Sequence, residues 1–84
     1  MEEKLIGKIT HYYNKINVAI VELSATVKIG DKIHIKGHAT DFEQTVSSMQ
    51  IEHQNIETAK KGDVIGLKVD QKVKEGDLVY VVKE

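Results

Sequence analysis

The chain has no cysteine, no proline and no tryptophan, and none of its 12 basic residues is arginine. Without cysteine, neither a disulfide framework nor a thiolate metal site can form. The lack of proline suits strands that pair on both sides. Arginine is the residue fitted to bidentate phosphate grip and base stacking, and lysine replaces it only as a point charge. With a net charge of −1, the chain also lacks the basic excess of a freestanding, tight RNA binder. No apolar run approaches the ~20 residues of a membrane span, and Met1-Glu2-Glu3-Lys4 is too acidic to open a signal peptide. No Gly-x-x-x-x-Gly-Lys-Ser/Thr loop is present to cradle a nucleotide. The expectation is therefore a cytoplasmic protein with no membrane, nucleotide or cofactor dependence. Met1 and the charged Glu84 point to a complete small protein rather than an excised domain.

What remains is ordinary for a globular unit: 84 residues, 40% apolar and 30% charged. That is one domain, 1–84, burying roughly 60–65% of the surface its unfolded form exposes. Its layout is set by Val27-Lys28-Ile29-Gly30-Asp31-Lys32-Ile33-His34-Ile35-Lys36-Gly37. The second half alternates, with Ile33 and Ile35 on one face and Lys32, His34 and Lys36 on the other, as a half-buried strand requires. The first half is a turn: Gly30 takes positive φ freely, and the Asp31 side chain bonds nearby backbone N–H groups. The same device recurs at Gly62-Asp63 and Gly76-Asp77, each launching an apolar strand.

Around these turns the pattern predicts six strands. The first spans about Lys4 to Tyr13, with Leu5, Gly7 and Ile9 on one face. Asn14-Lys15-Ile16-Asn17 is a hairpin connection to the second, Val18 to Leu23. The third follows Gly30-Asp31. The fourth, Phe42 to His53, changes buried parity between Val46 and Met49, which requires a bulge or bend at Ser47-Ser48. Gln54 to Lys61 reads as a connection with one helical turn at Glu57-Thr58-Ala59-Lys60. Val64 to Val69 and Leu78 to Val82 complete the set. Short strands with frequent turns suggest an all-β, six-stranded antiparallel closed barrel.

Gly7-Lys8-Ile9, Val27-Lys28-Ile29-Gly30-Asp31-Lys32-Ile33, Ile35-Lys36-Gly37 and Ala59-Lys60-Lys61-Gly62-Asp63-Val64-Ile65-Gly66-Leu67-Lys68-Val69 resemble the second domain of translation GTPases such as elongation factor Tu. Asp41-Phe42-Glu43-Gln44-Thr45-Val46-Ser47-Ser48-Met49-Gln50 is similar to the C-terminal barrel of the collagenase-like peptidase family, several members of which act in RNA hydroxylation. The likeness runs from Leu5 to Val82 and implies a barrel of the translation-protein type. It further implies packing on neighbouring domains or ribonucleoprotein. The Gly-Arg-Gly-type turn of the elongation factors is replaced by Asn14-Lys15-Ile16-Asn17, and their GTPase domain is absent.

The four histidines read as solvent-facing. His34 and His38 have metal-ligand spacing for a helix face, but they fall on a strand and in a loop. No catalytic or metal constellation emerges. Tyr12, Tyr13 and Lys15 at the first hairpin form a candidate aromatic-basic contact for RNA or a partner. The plainer account has one tyrosine closing the barrel end and the other lying on the surface. Lys60 and Lys61 are candidate phosphate contacts or simply a solvated turn. Apolar residues on both faces of the second and last strands are the strongest functional hint. The surplus face of Val18 and Ile20, or of Ala19, Val21 and Leu23, needs cover from loops, termini or another protein. The expected function is a non-catalytic binding module working in or near translation or RNA modification through a protein or ribonucleoprotein partner. Direct tRNA or rRNA binding and structural homo-oligomerisation are the alternatives.

Overall fold

Three copies of Lys-x-Gly-Asp fold into one local structure. In Lys28–Asp31, Lys60–Asp63 and Lys74–Asp77 the aspartate N–H donates to the lysine carbonyl at 3.0–3.1 Å. Its carboxylate accepts the lysine N–H in return, at 3.1, 2.9 and 2.8 Å. Gly30, Gly62 and Gly76 have φ of 96°, 93° and 93°, the left-handed third position of a type II turn. Each turn then brackets one residue from a distant part of the chain. The glycine N–H donates to the carbonyl of Val46, Leu23 or Ile9, and the N–H of that residue donates to the aspartate carbonyl. The expected Gly-Asp corners thus serve as clamps as well as launch points.

The computed structural model describes residues 2–83. Met1 and Glu84, on which the expectation of a complete small protein rests, lie outside them. The strands are β1 (Glu2–Tyr13), β2 (Val18–Leu23), β3 (Val27–Lys28), β4 (Lys32–Lys36), β5 (Asp41–Thr45), β6 (Met49–Ile51), β7 (Gln54–Ile56), β8 (Thr58–Ala59), β9 (Val64–Lys68) and β10 (Leu78–Lys83). Eight form one antiparallel sheet in the order β5-β4-β10-β1-β2-β9-β6-β7, and β3 pairs with β8 in a separate ribbon. Among the described residues no helix is long and apolar enough to cross a membrane.

The all-β class holds, but the closed six-stranded barrel is corrected: the sheet is open, with eight strands and a two-stranded ribbon beside it. The reason lies at Val46–Ser48, where the chain leaves β5 at one edge and enters β6 near the other. There the Val46 backbone is taken by the Gly30-Asp31 clamp rather than by a neighbouring strand. The parity change places Phe42, Gln44 and Val46 inside before the break and Met49 inside after it, as the pattern predicts. β7 is then added outside β6 by a tight hairpin, so the sheet ends on it. The expected helical turn at 57–60 is also absent: Thr58 and Ala59 pair with Lys28 and Val27, and Ala59 is fully buried.

In β1 the expected face assignment fails at its start. Register shifts between Leu5 and Gly7, and again between Ile9 and His11, mark two irregularities. They turn Ile6 inward to 1% exposure and leave Leu5 45% exposed. A β-carbon on Gly7 would meet Val21 Cγ1 at 2.6 Å, so only glycine permits this approach of β1 to β2. The inner faces converge on one core built around Ile6, Ile9, Val21, Ile33, Ile35, Met49, Ile65 and Val79. Burying one such side chain contributes about 1.5–3 kcal/mol, so the core accounts for most of the fold's stabilisation. Gln44 is a buried polar residue within it. Its amide donates to the Lys68 carbonyl at 2.8 Å and its oxygen accepts the Asp70 N–H at 2.8 Å, tying β5 to the end of β9.

Candidate binding groove

The outward face of β2 and β9 is apolar at Val18, Ile20, Val64 and Gly66, with the charged Glu22 and Lys68 at its opposite corners. Ile20 lies opposite Gly66, and Gly66 opposite Gln50, in a row across β2, β9 and β6. Because Gly66 has no side chain, the row dips at its centre, and a β-carbon there would stand 3.3 Å from Val18 Cγ1. Ile16, 63% exposed on the first hairpin, and Val64, 53% exposed at the start of β9, flank the dip. The result is a groove of about 470 Å³ lined mainly by Tyr13, Ile16, Val18, Ile20, Val64 and Gly66, with Glu52 and His53 at the rim. Apolar lining with few polar groups is the usual character of a binding cleft.

The rim turn is unusual in its residues. Ile51 and Gln54 pair across a two-residue hairpin loop of Glu52 and His53, whose φ angles are 51° and 66°. Such a turn favours Asn-Gly, and left-handed backbone costs other residues about 1–2 kcal/mol each. Strain of this kind concentrates at functional sites.

The first hairpin carries the sequence candidates Tyr12, Tyr13 and Lys15. Asn17, at φ 55°, closes it. The Tyr12 ring packs on the core and its hydroxyl donates to Asn17 Oδ1 at 3.4 Å. Tyr13 is half exposed and stacks edge-on against His11, with centroids 4.5 Å apart. Tyr12, Tyr13, Lys15 and Ile16 also line a smaller recess of about 290 Å³ beside the groove. Lys60 and Lys61 are not part of this cluster. Val69 N–H donates to the Asn17 carbonyl at one end of the β2–β9 ladder, whereas the Lys60–Asp63 turn clamps Leu23 at the other. A five-residue ladder, about 17 Å long, separates them.

A second cluster lies on the outward face of β4 and β5. His34 Nδ1 is 2.7 Å from Glu3 Oε2, and Nε2 makes a short hydrogen bond with Asp41. Lys36 pairs with Glu3 at 2.9 Å and Lys32 with Glu43 at 3.2 Å, while Lys36 also sits over the Tyr80 ring. The expectation of a solvent-facing His34 is thereby corrected, its side chain being 13% exposed. Hydrogen bonds to Glu3 and then Asp41 hold the imidazole above the ordinary histidine range. The same bond from His34, followed by that from Lys36, holds the Glu3 carboxyl below its usual range. Glu3 raises Lys36 in turn. One donor atom each from Glu3, His34 and Glu43 come within 4.8 Å of one another. Both carboxylates already face lysines, so the group is a balanced ion-pair network and we assign no metal to it.

Sequence reasoning left open whether Val18 and Ile20 or Ala19, Val21 and Leu23 formed the surplus face, and it missed Ile16, Val64 and Gly66 as the continuation of the former. The signal was present in part: Val64 and Gly66 share the parity opposite to the buried Ile65 and Leu67. No family model matches the chain. An uncharacterized protease of Methanocaldococcus jannaschii is 48% identical over 80 residues, which are 94% of this chain and 20% of that protein. A collagenase of Porphyromonas gingivalis is 35% identical over 81 residues, 94% of this chain and 22% of that protein. The chain thus spans about a fifth of the length of the curated relatives it matches. In fold it is similar to the C-terminal domain of a Geobacillus thermoleovorans protein described as a U32 peptidase. That likeness has a TM-score of 0.89 at 16% identity and covers 95% of this chain and 93% of that domain. The relatives by sequence are named as a protease and a collagenase, and the U32-type domain shares the fold, which supports the collagenase-like half of the resemblance. None of these relatives supports the elongation-factor half or a role in translation.

Proposed function

We propose that this chain is a non-catalytic binding module of the kind that forms the C-terminal part of U32 peptidase-type proteins. It works by seating its β2–β9 groove against the catalytic portion of such a protein, whether in the same polypeptide or as a separate partner. The observation that carries this reading is the groove: Val18, Ile20, Val64 and Gly66 form an apolar hollow between Glu22 and Lys68, whereas the charged side chains on the outward face of β4 are ion-paired. The relatives agree with it, since each holds four-fifths of its length outside the region this chain matches. A role beside RNA modification belongs to the same proposal, because a docked module would follow its catalytic portion to whatever substrate that portion takes. We place the module in the cytoplasm on the same footing.

Photo-crosslinking in cells tests the reading, with a crosslinking residue at Val64 and a control at Glu43. Adducts from Val64 to a U32-type polypeptide support it. Adducts to RNA, or equal yields from the two positions, would overturn it in favour of direct nucleic-acid contact or non-specific capture.

A further inference from the structure

His34 sits at the centre of an arrangement that docking does not require. Both ring nitrogens face carboxylate oxygens, Nδ1 toward Glu3 and Nε2 toward Asp41. A carboxylate only accepts hydrogen bonds, and a neutral imidazole has one N–H and one lone pair. Both contacts are satisfied only when both nitrogens carry protons. The surroundings call for the same charge: Glu3 from β1 and Asp41 and Glu43 from β5 supply three carboxylates. Lys32 and Lys36 of β4 supply two ammonium groups, and Tyr80 of β10 supplies an uncharged ring beside Lys36. A cationic His34 balances the set.

We propose that His34 is a proton-operated latch that, as imidazolium, ties the N-terminal end of β1 to the start of β5 across β10 and β4. These four strands are consecutive in the sheet, and Glu3 and His34 are 31 residues apart in sequence, so the bond joins distant segments. Glu3 and Lys4 pair with Val82 and Val81, and the latch therefore holds the margin where the two ends of the described chain meet. Loss of the proton turns one ring nitrogen into a lone pair facing a carboxylate, and the β1–β10 end opens more often. The upward displacement of the His34 midpoint agrees in sign. The latch is fully closed below the ordinary histidine value of 6.5 and is released as pH rises through the higher folded-state midpoint.

The test is nitrogen-15 NMR of the imidazoles together with amide exchange of residues 2–5 and 80–83, corrected for intrinsic rates, across the pH range 5–9 (~4 pH units, enough to bracket a displaced histidine). At neutral pH His34 is expected to show two protonated ring nitrogens. The opening constant of the β1–β10 end is expected to rise by up to about tenfold per pH unit between 6.5 and the folded midpoint. Glu3→Gln should weaken that dependence, and Glu3→Gln with Asp41→Asn should bring the ring back to an ordinary midpoint. A single neutral tautomer at neutral pH would overturn the latch. So would an opening constant with the same pH dependence in the wild type and in Glu3→Gln, a surface change that leaves the core intact.

Discussion

The outward faces of β4–β5 and of β2–β9 belong to one sheet and yet treat water in opposite ways. On β4–β5, Lys32, His34 and Lys36 meet Glu43, Glu3 and Asp41, so each polar group finds its partner within the molecule. On β2–β9, Val18, Ile20 and Val64 surround a glycine between Glu22 and Lys68 at opposite corners, and Tyr13 and Ile16 extend the apolar area. A face satisfied by its own ion pairs has nothing to offer a partner except at the cost of breaking them. A face left apolar gains by being covered, at roughly 25 cal/mol per Å² of surface removed from water. The contrast is the ground for proposing docking on β2–β9 and self-stabilisation on β4–β5.

The contrast can be broken most forcefully at Val64. Val64→Lys places a charge at the groove and is expected to weaken docking to a U32-type catalytic portion at least tenfold, about 1.4 kcal/mol, by titration calorimetry. Because Val64 is 53% exposed, stability should change by no more than about 0.5 kcal/mol. The next effect tests the frame that both faces share. Gly62→Ala meets no atom within 4 Å, yet its φ of 93° is costly for any L-residue. Chemical denaturation should report a loss of about 1–2 kcal/mol with docking affinity unchanged in the folded fraction.

A third prediction sharpens the ion-paired face through pH. Glu3, with its carboxyl displaced downward by His34 and Lys36, contributes stability above its ordinary value of 4.5 and loses it as pH falls through the lower folded value. His34, displaced upward, contributes below 6.5 and loses it as pH rises. The melting temperature should therefore be highest between pH 4.5 and 6.5, and Glu3→Gln should flatten the profile on both sides. The smallest effect is at the Lys60–Asp63 turn, whose lysines do not line the groove. Lys60→Glu with Lys61→Glu should leave docking within about twofold, since surface changes that remove no interface contact are near neutral.

Much of the frame was legible because it is local. Gly-Asp turns declare their own backbone geometry, and the parity change between Val46 and Met49 forces a break whatever surrounds it. β2 runs from Val18 to Leu23 as its pattern predicts. What stayed hidden depends on partners far along the chain. Thr58 and Ala59 are extended because Val27 and Lys28 lie beside them, and no local residue says so. Leu5 and Ile6 exchange faces because β1 shifts register against β10 between Leu5 and Gly7. The groove was half legible: Val18 and Ile20 were one of two candidate surplus faces, and Val64 and Ile16 join them only once β9 pairs with β2 and the hairpin turns back. His34 reads as an ordinary outward position of an alternating strand until Glu3 arrives from β1.

The central claim is tested most directly by methyl NMR of the labelled chain saturated with a U32-type catalytic portion. Shift changes gathered on Ile16, Val18, Ile20 and Val64, with Leu5 and Leu78 unmoved, are the predicted result. Changes centred instead on Leu5 and Leu78, with Ile16, Val18, Ile20 and Val64 unmoved, would contradict it.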